Sequence, residues 1–271
     1  MSSLPRYMTS DVTMVVTSCR RFDLLEKTLR SFFTFNNYPL KEVIVIEDSD
    51  DEGVFKVAEM FPDQPIRVIF NKVNIGQSRS IDKAYAEVET PYIFHVEDDW
   101  EFTSPNVIAS LKEVLVAEPE TLLALARAET DMQGYVRSIR TRTRNGVSYK
   151  RLFPELHFMW YTFTFNPSLK RTEDYRHITG GYSAIGNEYA LNQYYKAQGR
   201  TMCWVLGQDV RHIGGHGRSN YGKRKNAFVS RRNWSKWSQS AQRKFWHGLR
   251  KLGIDTELPQ RWLTLRRKVA S

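Results

Sequence analysis

Four short, apolar, β-branched runs fall within the first hundred residues, and segments with helical spacing separate them. They are Val12-Thr13-Met14-Val15-Val16-Thr17, Val43-Ile44-Val45-Ile46, residues 66–70 and Tyr92-Ile93-Phe94-His95-Val96. Continuous apolar runs of this length suit strands covered on both faces, which a parallel sheet with crossover helices provides. Leu25, Leu29, Phe32 and Phe33 recur at helical steps after the first run, and Asn74-Ile75-Gly76-Gln77-Ser78-Arg79 opens another helix expected to reach about Val88. The pattern predicts an α/β fold with a Rossmann-like, mostly parallel central sheet.

Acids gather where these strands end. The second run leads into Glu47, Asp48, Asp50 and Asp51, and the fourth into Glu97-Asp98-Asp99-Trp100. Open α/β sheets bind ligands beyond the carboxyl ends of their strands. Taken alone, residues 47–51 read better as a helix cap whose acids the helix dipole favours, but two acidic strand ends in one sheet point to a ligand site. Three adjacent acids at 97–99 repel one another unless a cation or hydrogen-bond donors compensate, which points to a metal.

With 271 residues and 41% hydrophobic side chains, the chain can fill a sizeable core without disulfides. Cys19 and Cys203 have no zinc or redox spacing. They read as small buried hydrophobes or, alternatively, as nucleophiles, in a reducing compartment. No signal pattern occurs at the start, and no apolar run reaches the roughly 20 residues that span a bilayer. The expectation is a soluble cytoplasmic protein.

The order strand, Thr17-Ser18-Cys19-Arg20-Arg21, helix, strand, Glu47-Asp48-Ser49-Asp50-Asp51, Asn74-Ile75-Gly76, Val96-Glu97-Asp98-Asp99 resembles that of inverting family 2 glycosyltransferases of the GT-A fold. The resemblance implies a nucleotide-sugar donor, expected to be a UDP-hexose, and Mn2+ or Mg2+. It puts Thr17 and Ser18 by the base and ribose, Glu47 or Asp48 on the base, and Arg79 on the base or phosphates. Arg20, Asn74, Gly76 and Glu97 fall in the same donor motifs. Asp98 would meet the ribose or metal and Asp99 the metal, with Trp100 facing the acceptor. The chain departs from the family pattern at Glu47, where Asp is usual, and in having Glu97 head the metal motif; each moves a carboxylate by one methylene. Residues 1–128 are then the donor-binding half, 129–218 the acceptor and catalytic-base half, and 219–271 a tail.

In the second half, residues 131–151 are strongly basic, with Arg137, Arg140, Arg142, Arg144, Lys150 and Arg151. They predict a loop or hairpin turning at Asn145-Gly146, and Arg142 and Arg144 are candidate acceptor contacts. Residues 158–165 are aromatic and predict a strand. Gly186-Asn187-Glu188-Tyr189-Ala190-Leu191 resembles the family's acidic motif at a helix start, which by the resemblance makes Glu188 the catalytic base; the residues alone favour a helix-dipole partner worth about 0.3–1 kcal/mol. Residues 202–206 predict a strand, followed by Asp209, His212, Gly214, Gly215 and His216. By the resemblance His212 joins the metal or diphosphate contacts, with His216 the alternative. No spacing here fits a zinc site.

The basic excess lies entirely in the tail: residues 219–271 hold 14 Lys or Arg against two acids, whereas the rest has 26 basic and 28 acidic residues. Trp234, Trp237, Ala241, Phe245, Leu249 and Leu252 mark one face of an amphipathic helix, and Arg and Lys largely fill the remainder. Such a helix could dock on the catalytic domain, lie in an anionic membrane interface, or bind nucleic acid. Lys223, Arg224, Arg231 and Arg232, with Arg266-Arg267-Lys268 further on, extend the charge beyond one helix, which suits a long polyanion. The acceptor expected is therefore DNA carrying a hydroxymethylated base, contacted by Lys223, Arg224, Arg231, Arg232, Trp234 and Trp237 and flipped out of the duplex for reaction. The alternatives are a lipid-linked or surface polysaccharide acceptor at a membrane, and a non-catalytic nucleic-acid or membrane adaptor. No obligate protein partner is indicated.

Overall fold

The structure, a computed structural model, describes residues 10–157 and 161–215. All belong to one compact unit. The four apolar runs become β1 (Val12–Ser18), β2 (Val43–Glu47), β3 (Ile66–Phe70) and β4 (Tyr92–Glu97), with α1 (Phe22–Phe35), α2 (Gly53–Glu59) and α3 (Gln77–Tyr85) as crossovers. A short β5 (Trp100–Phe102) follows, then α4 (Val107–Ala117), β6 (Thr121–Ala126), α5 (Gly134–Arg137), β7 (Arg142–Arg144) and β8 (Val147–Leu152). Then come β9 (Ser168–Arg171), α6 (Thr172–Arg176), α7 (Gly181–Ile185), α8 (Glu188–Ala197), β10 (Thr201–Val205) and β11 (Val210–His212).

Nine strands form one sheet in the order β3-β2-β1-β4-β9-β6-β10-β8-β7, and β5 pairs with β11 beside it. The pairings leave β9 and β8 opposed to the other seven, so the sheet is mostly parallel. The expected donor and acceptor halves share this sheet, because β9 bonds to β4 on one side and β6 on the other.

Alternation along the strands splits the core into two layers. Met14, Val16, Val45 and Phe94 pack with Leu25, Phe32, Leu111 and Val114 of α1 and α4. Val15, Ile44, Ile46 and Ile93 pack with Ile81, Tyr85, Tyr182, Leu191 and Tyr195 of α3, α7 and α8. The described residues contain no helix long and apolar enough to cross a membrane.

Two elements differ from the sequence expectation. Residues 161–165 form no strand; Phe163 and Phe165 are buried against Tyr182, with ring centroids 5.2 and 6.0 Å away, and Asn192 of α8 accepts from the Thr162 amide and donates to the Phe163 carbonyl. Aromatic packing and one buried amide satisfy this segment without a ladder. The strand is instead β9, whose Ser168-Leu169-Lys170-Arg171 has no apolar run to announce it. The helix α3 ends at Tyr85, short of Val88. The hairpin expected at Asn145-Gly146 is present as β7 and β8.

Candidate active site

The site is built at the carboxyl ends of β1, β2 and β4, which register places side by side: Ser18 faces Glu47, and Thr17 faces Glu97. Three buried oxygens here have no hydrogen-bond partner: Ser18 Oγ, Glu47 Oε2 and Asp99 Oδ1. Buried polar atoms are almost always satisfied, so three orphans at adjacent strand ends mark a place where donors or a cation belong.

The two acids after β2 have different duties. Glu47 Oε1 accepts from the Arg20 amide at 2.9 Å and from the Ser49 hydroxyl, leaving Oε2 aimed at no protein group. Asp48 is spent internally, accepting from Asn71 at 3.1 Å, the Ile75 amide at 2.8 Å and the Gly76 amide at 2.9 Å. It clamps the loop that opens α3, where Gly76 takes φ +91°, a left-handed value that glycine alone adopts freely. Asn74 completes the clamp by donating to the Asp48 carbonyl at 3.0 Å. Arg79 is exposed on α3, and Arg20 pairs with Asp50 at the surface.

The acids after β4 are held by an arginine that was quoted in the sequence motif but given no role. Arg21 grips Asp98 with two nitrogens and Asp99 Oδ2 at 2.7 Å. Asp98 is fully buried, and its withdrawal from water raises its carboxyl to about 7 against the pull of Arg21. For Asp99, burial acts upward too, but His212 and Arg21 outweigh it and hold the carboxyl below its usual range. His212 Nε2 lies 3.2 Å from Asp99 Oδ2, and β5–β11 pairing sets this contact by opposing His212 to Trp100. The turn after β11 presses onto Asp99: Ile213 donates to its carbonyl at 2.9 Å, and a Cβ on Gly214 would sit 2.2 Å from Asp99 Oδ2. Trp100 is buried beneath, so it forms the floor and presents no acceptor surface.

Whether a divalent ion fits can be judged from these donors. Among the described residues no three acid, His or Cys side chains converge as a preformed cage. Asp99, with its orphaned Oδ1, and His212 supply two donors, a number that suits Mn2+ or Mg2+ when a diphosphate and water complete the shell. Arg21 holds the acid pair where such a cation would act. His216 lies outside the described residues.

Glu97 joins these acids to the second half of the site. It accepts from Gln77 at 3.0 Å, and burial together with Glu188, Asp99 and Asp98 pushes its carboxyl up to about 8. Glu188 opens α8, where the Asn187 side chain caps the helix by accepting from Ala190 at 3.0 Å. Its Oε1 accepts from the Phe165 amide at 3.2 Å, and burial raises its carboxyl despite Thr164, Phe165, Lys170 and Arg127.

Arg142 and Arg144 are apart from this centre. They sit on β7, the far edge of the sheet and five strands from β4, roughly 24 Å at the usual spacing. Arg142 is also paired with Glu118 at 2.7 Å. Lys223, Arg224, Arg231, Arg232, Trp234 and Trp237 lie outside the described residues. Cys19 and Cys203 are buried thiols pushed up to about 11 by burial, which removes the nucleophile alternative.

Residues 13–190 match the family described as Glycosyl transferase family 2. The fold is similar to that of the mannosyltransferase PcManGT from Pyrobaculum calidifontis, solved with GDP-Man and Mn2+, at TM-score 0.56 and 17% identity over 78% of this chain and 58% of that one. It is also similar to S. aureus TarS 1-349 in complex with UDP-GlcNAc, at TM-score 0.56 and 13% identity over 91% and 68% of the two chains. GalNAc-T7 with UDP, GalNAc and Mn2+ gives TM-score 0.55 and 12% identity over 75% and 43%. This chain thus spans little more than half the length of the mannosyltransferase. No curated protein matches it.

Proposed function

Because the chain belongs to glycosyl transferase family 2, we propose that it is a metal-dependent, inverting glycosyltransferase that moves a hexose from a UDP-sugar to a hydroxyl on a hydroxymethylated base in DNA. The observation that carries the donor half is the row of orphaned oxygens at the ends of β1, β2 and β4. Glu47 Oε2 offers an acceptor to a base N–H, and Ser18 Oγ a partner to the base or ribose. The likeness to folds solved with GDP-Man, UDP-GlcNAc and Mn2+ supports a nucleotide sugar and a divalent ion.

Asp99 and His212 would hold the ion, with Asp98 beside them through Arg21. When bound, the ion would supply charge to stabilise the leaving diphosphate. Glu188, fixed by the Phe165 amide and the start of α8, acts as general base. The acceptor oxygen forms its bond to the anomeric carbon as Glu188 takes the hydroxyl proton. The bond from that carbon to the diphosphate oxygen breaks on the opposite face, and the diphosphate leaves with the electron pair. The configuration inverts.

The DNA acceptor rests on the basic tail, whose 14 cations against two acids suit phosphate neutralisation. The protein is tested with nucleotide sugars and MnCl2, offering hydroxymethylated DNA, unmodified DNA and a lipid-linked saccharide in separate reactions. Label is expected in the hydroxymethylated DNA only. Transfer to the lipid-linked saccharide alone overturns the DNA assignment.

A further inference from the structure

A lysine is sealed inside the sheet near the carboxylates, and none of the donor contacts uses it. Lys170 lies on β9, opposite Ile93 of β4 and Leu123 of β6, and is 2% exposed. Its Nζ donates to Ser168 Oγ at 2.9 Å and sits 5.5 Å from the centroid of the Phe163 ring. Ser168 faces His95, and strand alternation puts Lys170, Ser168, His95 and Glu97 on one side of the sheet. That is the side covered by the Phe163 segment and by α8, which carries Glu188.

A buried ammonium with only a hydroxyl and a ring face beside it is costly unless carboxylates share its surroundings. The acids whose charge reaches it are Glu188 and Glu97. Burial drives Lys170 down to about 7, and these two carboxylates pull against that. His95, fully buried with both ring nitrogens unpartnered, is held neutral by burial and by the Lys170 charge. Around Glu188 the charges are Lys170 and Arg127 in its favour and Glu97 against it, with the Thr164 side chain and Phe165 amide as hydrogen-bond partners.

We propose that Lys170 is a positioning residue for Glu188: the buried ammonium behind β9 keeps the Glu188 carboxyl ionised, ready to accept the proton of the attacking hydroxyl. This rests on the reading of Glu188 as the base. A carboxyl removed from water and set near a second carboxyl tends to hold its proton, and an opposite charge in the same low-dielectric space offsets part of that tendency. Sealed from solvent, Lys170 works only through Glu188.

The test follows the pH dependence of hydrolysis of whichever of UDP-glucose, UDP-N-acetylglucosamine and GDP-mannose the wild type turns over with MnCl2. Lys170→Met is expected to move the acidic limb up by about one to three pH units. The rate at pH 6 then falls about tenfold or more and recovers by pH 9, and Lys170→Arg restores the wild-type limb. An unchanged limb in folded Lys170→Met, with Glu188→Gln inactive, overturns the role of Lys170 and leaves the base in place. A Glu188→Gln variant with the wild-type rate removes the base itself. If Lys170→Met does not fold, the unaltered protein decides: the Glu188 carboxyl 13C resonance, assigned by its loss in Glu188→Gln, is expected at the carboxylate position at pH 7, and a protonated signal there contradicts the proposal.

Discussion

At the scale of single residues, the acid pair after β4 depends on two neighbours that the acid motif does not announce. Arg21 is the cation that Asp98 and Asp99 have from the protein itself, and Asp98 has no access to solvent. Removing one partner from such a buried pair leaves charge uncompensated. Arg21→Met is therefore expected to lower stability by about 3–5 kcal/mol at pH 7, measured by urea unfolding without metal. Added MnCl2 should recover part of that loss; no change in stability would mean that Arg21 does not compensate the pair. Gly214 matters for a steric reason, since a methyl group there would sit 2.2 Å from Asp99 Oδ2. Gly214→Ala is expected to weaken Mn2+ binding by about tenfold or more, the loss typical when groups orienting a metal ligand are disturbed. Electron paramagnetic resonance titration of Mn2+ reads this directly, and unaltered affinity would remove Asp99 from the metal shell.

At the scale of elements, one carboxylate ties α3 to the segment that precedes Glu188. Asp82 of α3 accepts from the Tyr182 amide at 2.7 Å, the Ser183 amide at 2.8 Å and the Tyr175 hydroxyl at 3.2 Å. Those bonds hold α7, which leads directly into the Glu188 helix. Asp82→Ala is expected to cost about 2–4 kcal/mol, as two amides lose a charged acceptor. It should cut turnover while leaving Mn2+ affinity near wild type; an equal loss of both would show that the two halves move as one. The buried Lys170 gives β9 a pH signature as well. Its protonated form is disfavoured in the folded state and not in the unfolded chain, so the unfolded chain binds more protons between about 7 and 10.5. This contribution to stability rises with pH across that window and is absent in Lys170→Met, which paired unfolding curves at pH 7 and 10 would reveal. Much of this level was legible beforehand: the first four strands announce themselves as apolar runs, and the acids at their ends follow from where such sheets bind ligands. The strand β9 was not, because a lysine and an arginine in a four-residue segment hide a buried strand from any hydropathy pattern. Nor were Arg21 and Lys170 as counter-charges, since a cation's partners are fixed by tertiary contact. Asp48 and Trp100 were identified as site residues, yet their groups are taken up by the Asn71–Gly76 loop and the floor under His212, details that side-chain direction alone decides.

At the scale of the whole molecule, residues 1–218 are nearly charge-balanced and the tail, residues 219–271, is strongly basic. If the tail neutralises DNA phosphates, changing Lys223, Arg224, Arg231 and Arg232 to Gln should reduce the slope of log affinity against log salt by about 0.9 per lost phosphate contact. An unaltered slope would assign those cations elsewhere. Metal-dependent glycosyl transfer at the ends of β1, β2 and β4 is measured by hydrolysis of a nucleotide sugar with and without MnCl2, in wild type, Asp99→Ala and Glu188→Gln. Turnover is expected to need the metal, to vanish in Asp99→Ala, and to fall by about 100-fold or more in Glu188→Gln while donor binding persists. Tight donor binding with no turnover on any acceptor, or turnover indifferent to Asp99, would contradict metal-dependent transfer at this site.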